Sequence, residues 1–152
     1  MPLGIVAMGF VFNTLNALMQ GGWIFYLAPE GYYADWFSRP FIYVGAAVFF
    51  AGMFINWQAD YIIRHLRKEG DTRHHIPRGG MFRYVSSANY FGELVEWTGF
   101  AIASWSWAGA VFVLWTFANL APRAASLRRR YEREFGEEFK RLKRKRIIPF
   151  IY

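Results

Sequence analysis

Two glutamates stand near the start of an apolar stretch, where charged side chains are uncommon. Asn89, Glu93 and Glu96 fall at positions i, i+4 and i+7, so a helix would place all three on one face. Burying a carboxylate is costly unless a cation, a hydrogen bond or water compensates for it. The spacing therefore predicts a polar site at a membrane boundary. The arginines of the preceding loop, 70–80, are the expected partners, and an ion pair explains one glutamate more easily than both.

A second polar face comes before that loop. Asn56, Asp60, Arg64 and Arg67 recur at i, i+4, i+8 and i+11, which is again one face of a helix. The common explanation is a solvated helix end with an Asp60–Arg64 ion pair, which contributes little stability. The alternative is a helix that lines a charged pocket as it leaves the bilayer. The residues alone leave both explanations open.

The loop between the two faces is basic, with Arg73, His74, His75 and Arg78. Adjacent histidines point in different directions. No set of histidines and carboxylates has the spacing of a zinc or iron site, so the sequence predicts no metal centre. The Gly-Gly turn that follows is preceded by no predicted strand and does not have the P-loop pattern.

Taken together, these polar groups suit a phosphate-bearing ligand. Arginine binds phosphate oxygens as a fork, while Asp, Glu and Asn accept or donate hydrogen bonds at ribose hydroxyls and base nitrogens. The aromatic-rich apolar stretches suit a flat apolar partner that enters from the bilayer. A dinucleotide with a lipid-like substrate would use both halves, although a phospholipid would satisfy the same inventory.

The composition is that of a membrane protein. Of the 152 residues, 55% are hydrophobic and 21% are aromatic, which is above the range of soluble domains. No charged residue precedes Glu30, and this opening stretch lacks the basic start and cleavage site of a signal peptide, so a membrane span is expected. The formal charge of +7 indicates membrane orientation and anionic lipid rather than nucleic acid. The absence of cysteine excludes disulfides.

Four apolar helices are predicted, in one all-α, multi-pass membrane domain that covers residues 1–152. The spans are 3–28, 41–57, 88–104 and 108–120. The second span continues as a polar helix to Lys68, and the fourth is expected to continue with a kink at Pro122. Residues 123–152 form a basic helix and tail whose apolar end, IIPFIY, is expected to fold back onto the membrane domain. Lysine and arginine concentrate in 60–86 and in the tail, so both are predicted to be cytoplasmic.

The first span carries its own polar face. Asn13, Asn16 and Gln20 fall at i, i+3 and i+7. Hydrogen bonding between helices is the favoured explanation, and a polar wall of an internal cavity is the alternative.

Three stretches of this chain resemble the steroid 5α-reductase family. They are NWQADYIIRHLRK from Asn56, IPRGGMFRYVSSANYFGELVEWTGFAIASWS from Ile76, and the terminal IPFIY. The resemblance covers the whole chain as the C-terminal part of such a protein. It implies a multi-span membrane enzyme that reduces the Δ4 double bond of 3-oxo steroids with NADPH. Relatives reduce polyprenols or very-long-chain enoyl-CoA. It also implies the endoplasmic reticulum in a eukaryote or the inner membrane in a bacterium.

The resemblance further implies a set of cofactor-binding positions. They are Asn56, Asp60, Arg67, Asn89, Glu93, Arg123, Tyr131 and Arg144. His74 and His75 stand where the family has Tyr-Arg or Tyr-Lys before Ile-Pro, which changes two of the expected contacts. Trp97 matches an aromatic residue near the nicotinamide and the steroid. The catalytic Glu and Tyr of the family, which polarise the 3-oxo group and supply the proton, fall in spans before the position of Met1.

Two other classes of protein are consistent with parts of the pattern. An isoprenylcysteine-type membrane methyltransferase would read RHPxYxG where this chain reads SSANYFG, from Ser86 to Gly92. The missing His-Pro argues against this class. A non-enzymatic, lipid-binding membrane subunit explains the basic tail, but it does not explain the polar residues at Asn89, Glu93 and Glu96.

Overall fold

The computed structural model describes residues 3–66, 70–71 and 73–152, and over this part it contains four α-helices. They are α1 (Leu3–Gly22), α2 (Pro40–Arg64), α3 (Ala88–Ser104) and α4 (Trp107–Lys140). A π-helical turn, Trp23–Leu27, prolongs α1, and short 3-10 turns occupy Trp36–Ser38 and Gly80–Arg83. The predicted all-α membrane bundle is confirmed.

Two of the helices are long and apolar enough to cross a membrane. These are α2, with 25 residues, and α4, with 34 residues. The fourth helix is longer than its predicted span because it continues through Pro122 to Lys140. Its backbone leaves helical geometry at Gly136, where φ is 52° and ψ is −124°. Glycine tolerates a positive φ that a side chain would make costly.

Glycines hold α2 and α3 together at the closest approach in the bundle. Gly52 of α2 faces α3 so closely that a Cβ atom there would stand 2.8 Å from the carbonyl oxygen of Gly92. A Cβ atom at Gly92 would stand 2.8 Å from the Cα atom of Asn56. Small residues of this kind let membrane helices pack backbone against backbone. The contact brings the polar face of α2 beside the start of α3.

The opposite end of α3 turns sharply into α4. Trp105 adopts a left-handed conformation with φ 45°, and the hydroxyl of Ser106 caps α4 by accepting from the backbone N–H of Gly109 at 2.9 Å. Trp36, in the loop between α1 and α2, donates from its indole to the carbonyl of Ala103 at 3.0 Å. These contacts close the end of the bundle remote from the polar faces.

The chain end folds back onto the bundle, as predicted. The backbone N–H of Lys145 donates to the carbonyl of Tyr84 at 2.8 Å, and the Lys145 carbonyl accepts from the backbone N–H of Ser86 at 2.8 Å. Ile147 is fully buried and packs with Leu120 and Ala124 of α4. The tail therefore supports both the entry to α3 and the middle of α4.

Candidate functional site

A cavity of about 540 Å³ opens where α2 ends and α3 begins. We call it the basic cavity. Its lining comes from the end of α2, the loop at 70–80, the start of α3 and the middle of α4: Ile63, Arg64, Leu66, His74, His75, Asn89, Tyr90, Leu127, Arg130, Tyr131 and Glu134. The predicted site residues His74, His75, Asn89 and Tyr131 thus meet around one space.

Arg130 and Glu134 organise one wall of the basic cavity. Arg130 Nε donates to Glu134 Oε1 at 2.8 Å, one turn along α4. His74 Nδ1 lies 3.1 Å from Glu134 Oε2, and Arg130 Nη2 lies 2.7 Å from His74 Nε2. The loop and the helix are therefore joined by a network of polar contacts at the cavity surface.

The loop is also braced from outside the cavity. His75 Nε2 lies 2.7 Å from Asp71 Oδ2, and the backbone N–H of Arg73 donates to Asp71 Oδ1 at 2.9 Å. The Arg73 hydrogen bond, followed by the His75 hydrogen bond, lowers the pKa of Asp71 well below its usual range. Arg78 pairs with Glu138 of α4 at 2.8 Å. Asp71 therefore fixes the local turn that presents His75.

Arg144 lines neither the basic cavity nor the deeper cavity of the bundle, and it is almost fully buried, with 5% exposure. Its Nη1 atom donates to the carbonyl of Pro77 at 2.9 Å, while its buried Nε atom has no hydrogen-bond partner among the described residues. Burial and then the nearby Arg78 charge lower the pKa of Arg144 from its ordinary value, and Tyr131 opposes that shift. The tail thus places a buried cation near Tyr131.

A second cavity of about 460 Å³ lies deeper, between α1, α3 and α4. We call it the bundle cavity. Its lining combines aromatic, amide and charged side chains: Met8, Gly9, Phe12, Asn13, Asn16, Glu93, Trp97, Phe112, Thr116, Asn119, Leu120 and Arg123. The Trp97 and Phe112 rings meet edge to face with centroids 4.8 Å apart. The bundle cavity thus combines three aromatic rings with six polar or charged side chains.

The two cavities follow one another along the same pair of helices. On α3, Asn89 lines the basic cavity, and Glu93 lies one turn further, in the bundle cavity. On α4, Tyr131 lines the basic cavity and Arg123 lines the bundle cavity, eight residues or roughly 12 Å apart along the helix axis. An elongated ligand with one charged end and one flat apolar end would match this arrangement.

Two predicted site residues of α2 lie outside both cavities. Asn56 and Asp60 are half-buried on α2 and line neither cavity. Asp60 reaches the basic cavity indirectly because it pairs with Arg64 at 3.7 Å, which is the predicted i, i+4 pair. Arg67 lies outside the described residues.

The expected partners of the two glutamates were wrong. Arg73 pairs with Asp71 and Arg78 pairs with Glu138, so both loop arginines are engaged away from α3. The cation that shares a cavity with Glu93 is Arg123, which comes from α4. The spacing of the residues did not indicate this neighbour, although the family resemblance had placed Glu93 and Arg123 in one set of cofactor-binding positions.

The polar face of the first span, formed by Asn13, Asn16 and Gln20, fits both of its explanations, each for different residues. Gln20 donates from its side chain to the carbonyl of Ala108 at 3.2 Å, which joins α1 to α4. Asn13 and Asn16 instead line the bundle cavity. The amide of Asn13 also donates to the carbonyl of Gly9 at 2.8 Å, within the helix.

Sequence reasoning missed Arg130, Glu134 and Asn119 as cavity residues. Arg130 stands seven residues after Arg123, and Glu134 follows at i+4. That spacing is the signal that could have separated Arg130 from its basic neighbours. Asn119 carries no comparable signal because a single amide in an apolar helix has many uses. In the described part of the chain, no cluster of His, Asp or Glu is placed to hold a metal ion.

Comparison with known proteins gives a consistent result. A sequence model of the family described as 3-oxo-5-alpha-steroid 4-dehydrogenase matches residues 1–152. The chain is 46% identical, over 153 aligned residues, to 3-oxo-5-alpha-steroid 4-dehydrogenase 1 of Macaca fascicularis, covering 100% of this chain and 56% of the relative. It is 45% identical to the protein of the same name from Homo sapiens, covering 100% of this chain and 57% of the relative.

A plant relative shows the same similarity. The chain is 42% identical to steroid 5-alpha-reductase DET2 of Arabidopsis thaliana, covering 99% of this chain and 57% of the relative. The chain thus spans somewhat more than half the length of the curated relatives that it matches. On the strength of the family match over residues 1–152, the chain belongs to the 3-oxo-5-alpha-steroid 4-dehydrogenase family.

Proposed function

We propose that this chain forms the NADPH-binding part of a membrane reductase that reduces the Δ4 double bond of a 3-oxo steroid or a similar lipid enone. One observation carries the proposal: a basic cavity and a cavity lined by both aromatic and polar side chains follow one another along α3 and α4. Family membership supports the reaction class, because the relatives are named as steroid dehydrogenases and reductases. It also favours a reductase over an isoprenylcysteine-type methyltransferase.

The residues of the basic cavity fit a phosphate-bearing cofactor. Arg64, Arg130, His74 and His75 supply donors suited to phosphate oxygens. The volume of about 540 Å³ lies within the range of ligand pockets. The buried Arg144 does not line this cavity, but it lies near Tyr131 and adds positive charge to the region. Bound NADPH would supply the hydride for the reduction.

The side chains of this chain would bind the cofactor and orient it and the substrate. Arg130 and His74 would hold phosphate, while Asn89 and Tyr131 would direct the cofactor along α3 and α4 toward the bundle cavity. Trp97 would form one wall for the flat apolar ring system. Glu93 and Arg123, facing the same cavity from two helices, would set the field in which a carbonyl group is held. Asp60 would act through Arg64, with which it pairs.

The orientation in the membrane follows the charge distribution. We propose that the basic cavity and the tail face the cytosol, in the endoplasmic reticulum of a eukaryote or the inner membrane of a bacterium. Lysine and arginine accumulate at this end of the bundle, as expected of cytoplasmic segments. A cytosolic opening would also give the cofactor direct access to its pocket.

The proposal is tested by NADPH titration of the purified full chain in lipid nanodiscs. Arg130→Gln removes a charged donor from the basic cavity and should weaken NADPH binding about tenfold or more, because hydrogen bonds to charged groups contribute about 1.5–3 kcal/mol. The matched control is Arg133→Gln. Arg133 is exposed on the same helix and lines neither cavity. The Arg133→Gln variant should therefore bind NADPH with the affinity of the parent chain.

Three outcomes would overturn the proposal. The first is an equal loss of NADPH affinity in the two variants, which would mean that general surface charge, and not the basic cavity, accounts for the loss. The second is binding of S-adenosylmethionine in place of NADPH, which would support the methyltransferase class. The third is the absence of nucleotide binding by a folded parent chain, which would support a lipid-binding subunit.

A further inference from the structure

A second basic surface lies on a different side of α4 from the basic cavity. It is a groove of about 330 Å³ between α4 and the chain end, and we call it the tail groove. Its lining is Ala125, Arg128, Arg129, Glu132, Lys145, Arg146, Ile151 and Tyr152. It shares no lining residue with the basic cavity. The proposed cofactor site therefore leaves these cations unexplained.

The tail groove carries a clear excess of positive charge. Four basic side chains face one carboxylate. Glu132 is engaged by Arg128 Nε at 2.8 Å, and Arg129 Nη2 donates to the hydroxyl of Ser126 at 3.1 Å. Lys145 and Arg146 come from the tail, so half of the basic side chains in the tail groove are there because the chain end folds back. Its charge is complementary to an anion with several acceptor oxygens.

The floor of the tail groove lies at the level where α4 becomes apolar. Ile147 packs against Leu120 and Ala124, and the ring of Tyr152 lies 6.3 Å from that of Phe117. Leu120 ends the apolar run of α4, so the tail returns to the boundary of the membrane-spanning part. Arg128 lies eight residues beyond Leu120, which is roughly 12 Å along the helix axis. This offset exceeds the roughly 5–8 Å of polar interfacial layer on each side of a bilayer. The side chain of Arg128 points back along the helix toward Leu120, so its charged end can reach that layer.

Two exposed apolar side chains belong to the same tail: Ile151 lines the tail groove, and Phe150 precedes it and packs against the ring of Tyr84. Phe150 and Ile151 are 76% and 77% exposed, although they stand within the apolar tail. At a water-facing surface this exposure would be unfavourable, whereas at the membrane boundary both side chains can enter the acyl region. Apolar groups below and cations above match the two parts of a phospholipid.

We propose that the tail groove binds the phosphate headgroup of an anionic phospholipid, with Phe150 and Ile151 in contact with its acyl chains. Arg129, Lys145 and Arg146 hold the headgroup, and Arg128 remains tied to Glu132. The bound lipid would fasten the tail to α4. Because the tail also carries Arg144, which bonds to Pro77 and lies near Tyr131, the lipid would stabilise the surroundings of the basic cavity without touching it.

The test is native mass spectrometry of the full chain in detergent, titrated separately with phosphatidylglycerol, phosphatidylcholine and inorganic phosphate. The parent chain should retain phosphatidylglycerol in preference to the other two ligands. The double variant Arg129→Gln/Lys145→Gln should bind phosphatidylglycerol roughly 30-fold more weakly, the effect expected of two basic residues. Ile151→Ser should also weaken lipid binding, because it removes an apolar contact without changing charge.

Arg133→Gln is the matched control, since it removes one exposed cation of α4 outside the tail groove. Its affinity for phosphatidylglycerol should equal that of the parent chain. Equal weakening in Arg133→Gln and Arg129→Gln would overturn the site in favour of general surface potential. If inorganic phosphate competes with phosphatidylglycerol at equal concentration, the assignment of the site to a lipid is overturned and a soluble anion is favoured. Unchanged lipid binding in both the double variant and Ile151→Ser would overturn the proposal outright.

Discussion

Replacing Gly52 by alanine tests whether backbone contact between α2 and α3 holds the bundle together. The new Cβ atom would stand 2.7 Å from the Cα atom of Glu96 and 2.8 Å from the carbonyl oxygen of Gly92. Both neighbours are backbone atoms of α3, so no side-chain rotation can relieve the overlap. The two helices must separate, and the polar faces that they bring together must shift with them.

The magnitude follows from two opposing contributions to the free energy of unfolding. Forcing an extra carbon into a filled interface costs about 1–3 kcal/mol, and a backbone contact that cannot relax belongs at the upper end. Alanine also gains about 1 kcal/mol over glycine in a helix. The net expectation is a loss of about 2 kcal/mol, or a fall in Tm of roughly 4–8 °C for a chain of this size.

The assay is thermal unfolding of the purified chain in detergent, followed by circular dichroism. Gly22→Ala is the matched control, since Gly22 has helical angles and a Cβ atom there would meet no atom within 4 Å. That variant should be unchanged or slightly more stable, because only the helix preference of alanine acts. The reasoning is refuted if the two variants have the same Tm, or if Gly52→Ala is the more stable of the two.

Two further predictions concern the loop and the tail. The lowered pKa of Asp71 means that its contribution to the loop is complete above the ordinary value of 3.8 and is lost as pH falls through its lower folded pKa. The NMR signal of the Arg73 amide proton should report that midpoint, and a midpoint at or above 3.8 would contradict the assignment. Ile147→Ala should cost about 2–5 kcal/mol and Ile147→Val about 0.5–1.5 kcal/mol, measured as Tm, because Ile147 is fully buried. Equal effects of the two substitutions would show that the tail is not packed as described.

Much of the fold could be predicted because local patterns determine it. Long apolar stretches must form helices in lipid, where every backbone polar group needs an internal partner. The Asp60–Arg64 pair followed from i, i+4 spacing within one helix, and it is present at 3.7 Å. The return of the apolar chain end to the bundle was also predictable, because apolar side chains after a charged helix are stabilised by packing against another apolar surface.

The site was only partly predictable because its members come from different helices. Glu93 and Asn89 share a face of α3, yet they line different cavities. Likewise, Arg129 and Arg130 are adjacent in sequence, but one faces the tail groove and the other the basic cavity. Neighbours on a helix point about 100° apart, so their surroundings depend on what packs on each side.

By itself, the sequence determined that this is a basic, helical membrane protein, where its polar faces lie, and the family that it resembles. Only the tertiary structure decided that Arg123 shares a cavity with Glu93 and that the tail builds a second basic groove. The physical reason is that helix rotation and separation are set by packing. The glycine contacts between α2 and α3 fix one such relation, and the burial of Ile147 against α4 fixes another. Neither relation is contained in the periodicity of a single helix.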